Sequence, residues 1–105
     1  MTNPFAKKVL NLKNSIDYQE NSVVSKTITD NTDSSLTLFA FDKSQSIATH
    51  SAPVDAVVQN IEGEVEITIS GELFTLKEGD IILMPKGEPH GLFAKTKFKM
   101  ALFKV

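Results

Sequence analysis

The sequence predicts an all-β domain of antiparallel strands, built as two packed sheets or one closed barrel. Three observations carry that prediction. From about residue 22 to the end, apolar and polar residues alternate in runs of roughly 4–7 residues separated by turn residues, the period of half-buried strands. Helical periodicity is weak along the whole chain. The β–α–β spacing of a parallel sheet is missing, which leaves antiparallel pairing. The 105 residues suffice for one small domain and one modest core.

The elements follow in order. Residues 1–21 stand apart: Val9, Leu10, Leu12 and Ile16 are compatible with a strand, a short helix or both in succession, and the segment reads as an arm laid on a body spanning 22–105. Residues 23–28 are rich in β-branched side chains and form the first clear strand. Asp30 to Ser35 is a cluster of short polar residues that bond their own backbone, hence a turn. In the next strand, 36–41, Leu36 and Leu38 share one face and Phe39 and Phe41 the other, so both faces must be covered. One cover is the core; the other is the arm or a second subunit. A short strand at 47–50 is broken by Pro53, and a further strand occupies 56–61. Val65, Ile67 and Ile69 alternate with acids and hydroxyls, and Ser70-Gly71-Glu72 returns the chain into 73–76, the most secure hairpin of the sequence. Strands at 81–84, from His90 onward, and at 98–105 complete about eight to ten strands.

Composition removes several functions. The absence of Cys excludes disulfides, thiolate nucleophiles, Fe–S clusters and Cys-based zinc sites. Two His exclude a three-His metal site within one chain. A net charge of −2 offers no cationic surface for nucleic acid; Lys95, Lys97 and Lys99 read as the solvated face of one strand. No apolar run approaches the roughly 20 residues of a membrane span, and no signal-peptide h-region is present, so a cytoplasmic protein that engages neither membrane nor nucleic acid is expected.

The stretch Gly79-x5-Pro85-x-Gly87-x2-His90 resembles the second motif of the cupins. Gly63 sits in an Ile-Glu-Gly-Glu turn like the one closing the first cupin motif, and His50 lies 13 residues before it, where that motif places its first metal-ligand His. The short gap between the motifs is similar to that of small single-domain bacterial, RmlC-like cupins. The resemblance implies a double-stranded β-helix, or jelly-roll barrel, over residues 35–105 at least, and a homodimer. It also exposes departures. The family continues with a second His and, three to four residues later, a Glu. Here Ala52 stands at the second His position, and Ala56 or Val57 at that of the Glu. Asp55 is one residue off, which in an extended strand turns its side chain to the opposite face. Only His50 and His90 remain of four metal ligands, whereas transition-metal sites use three or more protein donors. A divalent transition metal held there would be weakly held, and no cofactor is expected.

The candidate ligand pocket comprises His50, His90, Asn60, Ala52, Met84 and Met100. Asn60 shares the inward face of its strand with Ala56 and Val58 and reads either as a ligand-orienting amide or as a satisfied barrel-end residue. Small Ala52 and Ala56 enlarge any cavity and make it less polar. Phe39, Phe41, Phe98 and Leu102 either line the cavity or fill the core, while Phe39 and Phe41, with Ala101, Phe103 and Val105, also read as an apolar patch for a dimer. His50 and His90 are the only groups with an ordinary pKa near neutrality. The function expected is binding of a small organic ligand without a complete metal site; the alternative is a metal-dependent dioxygenase or isomerase using His50 and His90. A third reading is a dimeric interaction module.

Overall fold

The computed structural model describes residues 3–105; the first two residues of the expected arm lie outside the described residues. Nine strands are present among the described residues: β1 (Val23–Asp30), β2 (Ser35–Phe41), β3 (Ser46–His50), β4 (Ala56–Glu62), β5 (Val65–Ile69), β6 (Glu72–Leu76), β7 (Ile81–Met84), β8 (His90–Ala94) and β9 (Phe98–Lys104). They form two antiparallel sheets ordered β1-β2-β9-β4-β7 and β3-β8-β5-β6. No helix occurs among the described residues, and so none that is long and apolar enough to cross a membrane.

The alternating positions read from the sequence face the space between the sheets. Val65, Ile67, Leu92, Ala94, Val58, Phe98 and Met100 are buried there in one apolar cluster. Phe41 packs on Phe98 with ring centroids 5.3 Å apart, at a tilt that favours edge-to-face contact. Phe39 and Phe41 therefore belong to the barrel interior. The outward patch of β2 and β9 consists instead of Leu36, Leu38, Ala40, Ala101 and Phe103. Strand parity separates the two sets.

That outward patch is covered by residues 3–21, which run as a succession of turns rather than as a strand or helix. Local polar side chains explain the turns: Asn3 Oδ1 accepts from the Phe5 N–H, and Asn11 Oδ1 from the Asn14 N–H. Such bonds give the backbone an alternative to regular structure. Val9 is fully exposed, while Leu12, Ile16 and Tyr18 pack on the patch. Polar latches hold the segment down. The Tyr18 hydroxyl donates to Glu62 Oε2 at 2.5 Å, Lys26 Nζ to the Ser15 carbonyl at 2.9 Å and Lys99 Nζ to the Lys13 carbonyl at 2.6 Å. Lys99 also sits 4.9 Å from the Tyr18 ring centroid and is buried. The expectation of three lysines on one solvated strand face is thus corrected. Lys95 and Lys97 lie in the bend before β9, and Lys99 lies beneath the covering segment.

The barrel end holding Asn60 is closed by a tight turn between β4 and β5. Gly63 adopts φ +87°, and a Cβ there would lie 2.0 Å from the Lys97 carbonyl oxygen, so only glycine fits. Asn60 Nδ2 donates to the carbonyls of Gly63 at 2.9 Å and Leu76 at 3.2 Å, tying this turn to the end of β6.

Candidate functional site

The opposite end of the barrel is organised by a β-bulge. Ile47 of β3 pairs with Leu92 of β8, and His50 with His90, so three steps on β3 match two on β8. Ile47 points inward. Strict alternation would send a residue three positions later outward, but the extra residue restores His50 to the inner face. Gly91 makes room for the bulge: a Cβ there would lie 3.0 Å from Thr49 Oγ1 and 3.4 Å from the Ile47 carbonyl oxygen.

The two imidazoles meet edge to face with ring centroids 4.5 Å apart. His90 is buried and His50 is exposed at the rim. Each Nδ1 lies within hydrogen-bond distance of the carbonyl two residues before it, Ala48 at 3.0 Å for His50 and Glu88 at 3.2 Å for His90. A carbonyl only accepts, so each Nδ1 carries a proton, and Nε2 is the ring atom left to face a ligand, with a lone pair in the neutral form. Burial holds the His90 imidazole below its ordinary pKa. The bond to Glu88 opposes this shift, whereas the His50 ring and the Lys104 ammonium reinforce it.

Beneath the pair lies a cavity of about 140 Å³ between the sheets. His50, His90, Ala52, Met84 and Met100 all line it. Asn60 does not: it is four residues along β4 from Ala56, roughly 13 Å at the rise of a strand, its Nδ2 donates to the far-end turn, and its buried Oδ1 has no hydrogen-bond partner among the described residues. Asp55 is also outside the cavity lining. Its Oδ1 accepts from the Lys86 N–H at 2.8 Å, which fastens the 85–88 loop to the start of β4. Sequence reasoning missed three lining residues, Ile47, Leu92 and Lys104, of which Lys104 alone is charged. The signal was available, because Lys104 continues the inward face of Phe98, Met100 and Leu102. Its register opposite Ala56 places it at the cavity mouth.

A jelly-roll barrel with a histidine pair at one end defines the cupin class. The comparisons agree: the chain matches the cupin domain family over residues 37–105, and it belongs to that family. A conserved protein of unknown function from Streptococcus pyogenes is 38% identical, with a TM-score of 0.92 over 99% of this chain and 91% of that one. A cupin 2 conserved barrel domain protein from Leptotrichia buccalis is 35% identical, with a TM-score of 0.88 over 91% of this chain and 47% of that one. A cupin superfamily protein from Desulfitobacterium hafniense, 23% identical with a TM-score of 0.88 over 99% of this chain and 95% of that one, shares the fold. No curated protein matches the chain.

The metal that the family resemblance implies does not fit this donor set. Ala52 and Ala56 stand at the cavity wall where further ligands are needed, and among the described residues no group of three His, Cys, Asp or Glu is placed to hold an ion. The charged side chain at the cavity is Lys104, which repels a cation.

Proposed function

We propose that the chain is a small-molecule-binding cupin whose barrel-end cavity takes an organic molecule without a resident metal. The observation that carries this reading is the cavity itself, a space of about 140 Å³ walled by apolar side chains, with two imidazoles and one ammonium as its polar groups. Concave apolar sites with a few convergent polar groups are the usual form of ligand pockets, and this volume suits a molecule well below drug size. The metal-dependent alternative draws on the Nε2 atoms of the two His but finds no third His, Cys, Asp or Glu donor among the described residues.

Protein-observed NMR with the untagged chain and a panel of small acids, alcohols and amines tests the reading. Saturable shifts confined to His50, His90, Ala56 and Met100, abolished by Ala56→Leu, are expected. A panel that shifts none of these residues contradicts it.

A further inference from the structure

The charge arrangement at the cavity narrows the class of ligand. Lys104 lies on the inner face of β9, between Ser35 of β2 and Ala56 of β4 in register. Among the described residues its ammonium has no ion-pair partner, since the pairs formed are Lys13 with Glu62 and Glu78, and Lys95 with Glu64. No carboxylate lines the cavity, and the Asp55 carboxylate is taken by the backbone of the 85–88 loop. On its outer side Lys104 also borders a surface depression that holds Asp30 and Asp33, with neither of which it forms an ion pair, while the cavity itself has no acid. A cationic side chain beside an apolar cavity without carboxylates is complementary to an anion, and a carboxylate is the anion that carries a hydrocarbon body.

The imidazole pair adds a second requirement. Both Nδ1 hydrogens are committed to backbone carbonyls, so each ring in its neutral form offers one acceptor, Nε2, and no free donor. A plain carboxylate would leave these acceptors unmatched, whereas a hydroxyl on the same molecule donates to them. The remaining wall, formed by Met84, Leu92, Met100 and Leu102, calls for an apolar body. The volume equals that of about five liquid waters, room for about five non-hydrogen atoms, which suits a short acid whose hydrocarbon body lies inside and whose carboxylate sits at the mouth beside Lys104.

Resting on the reading of this cavity as a small-molecule site, we propose that its occupant is a short aliphatic hydroxy acid. Lys104 holds the carboxylate, the His50–His90 pair accepts from the hydroxyl, and the hydrocarbon body lies on the Met84–Met100 wall.

The test titrates three probes, 2-hydroxyisovalerate, isovalerate and 2-hydroxyisovaleramide, into the untagged chain and into its Lys104→Met and Lys104→Arg variants. Lys104 is exposed at a strand end, so both variants fold. The hydroxy acid should bind tightest, and loss of either the charge or the hydroxyl should weaken binding about tenfold. Lys104→Met should weaken both acids about tenfold and leave the amide unchanged, with Lys104→Arg retaining acid binding. Equal affinity for acid and amide, or equal weakening of both by Lys104→Met, overturns the anion assignment. Equal affinity for the hydroxylated and plain acids overturns the role given to the imidazoles. If all three probes fail while other fragments of the NMR panel bind at the cavity, the hydroxy acid is wrong and the small-molecule reading stands. If nothing binds there, both fall.

Discussion

Filling the cavity from its wall should stabilise the protein and remove its function together. Ala56 is the position for this, because its side chain is almost wholly buried and borders the empty volume. Ala56→Leu adds three carbons, each worth about 0.8 kcal/mol when removed from water, so the ceiling is about 2.4 kcal/mol. Part is lost to imperfect fit, since an added side chain must find a rotamer between Met84 and Lys104, its neighbours in register. A net gain of about 1 kcal/mol is expected, which for a domain of this size raises Tm by roughly 4–8 °C. Thermal melts followed by circular dichroism read the gain, and the NMR panel reads the loss of binding. A fall in Tm of similar size would show that no free space adjoins Ala56 and would refute the cavity as described. Higher stability with unchanged binding would put the ligand elsewhere. Gains of this kind at the expense of activity are the usual result of filling a functional cavity.

Other predictions concern the parts that hold the site. Gly91→Ala should press on Thr49 Oγ1, disturb the bulge and weaken ligand binding several-fold, and Thr49→Ala in the same chain should restore it; failure of that rescue in a double-mutant cycle would separate Gly91 from the placement of His50. Asn60→Leu leaves the Gly63 and Leu76 carbonyls without their donor and should cost about 2 kcal/mol in urea unfolding, with ligand affinity intact if Asn60 serves structure alone. The Tyr18–Glu62 latch carries a pH signature. The Tyr18 hydroxyl, with the nearby Lys99 and Lys13, holds the Glu62 carboxyl below its ordinary pKa, so this contribution is fully present above about pH 4.3 and is lost as pH falls through the lower folded value. Burial and Glu62 push the Tyr18 phenol up, so on the alkaline side the contribution is fully present below about pH 10 and is lost only as pH rises through the higher folded value. Tyr18→Phe should therefore cost about 1 kcal/mol at neutral pH and progressively less below pH 4; a penalty independent of pH would mean that the ring, not the hydrogen bond, holds the segment.

The sequence was most informative where one face of a strand meets the core and the other meets water. The β5–β6 hairpin shows this: Val65, Ile67 and Ile69 alternate with polar residues, and the turn residues fix its register. The Pro85-Lys86-Gly87 turn was equally legible, because the spacing from Gly79 to His90 allows little besides a short strand, a rigid loop and the start of the next strand. Parity could not see the insertion at β3. Nothing in Ile47-Ala48-Thr49-His50 announces a bulge, yet the bulge alone brings His50 beside His90. Nor could it see a covering segment without periodicity. Lys99 looked like a solvated residue because the arm that buries it is ordered by asparagine-capped turns and by contacts formed only on folding. Lys104 was overlooked for a different reason. A charged residue at the end of a strand reads as the place where the chain leaves the core, whereas here the end of the strand is the mouth of the cavity.

The measurement that bears most directly on a metal-free organic site is native mass spectrometry of the untagged protein. It should be purified from cells grown with added iron, manganese, zinc, nickel and copper. The account predicts no near-stoichiometric metal adduct, and a wild-type spectrum with the same metal content as that of the His50→Ala/His90→Ala variant. A metal bound at close to one per chain in the wild type and lost in that variant would contradict it.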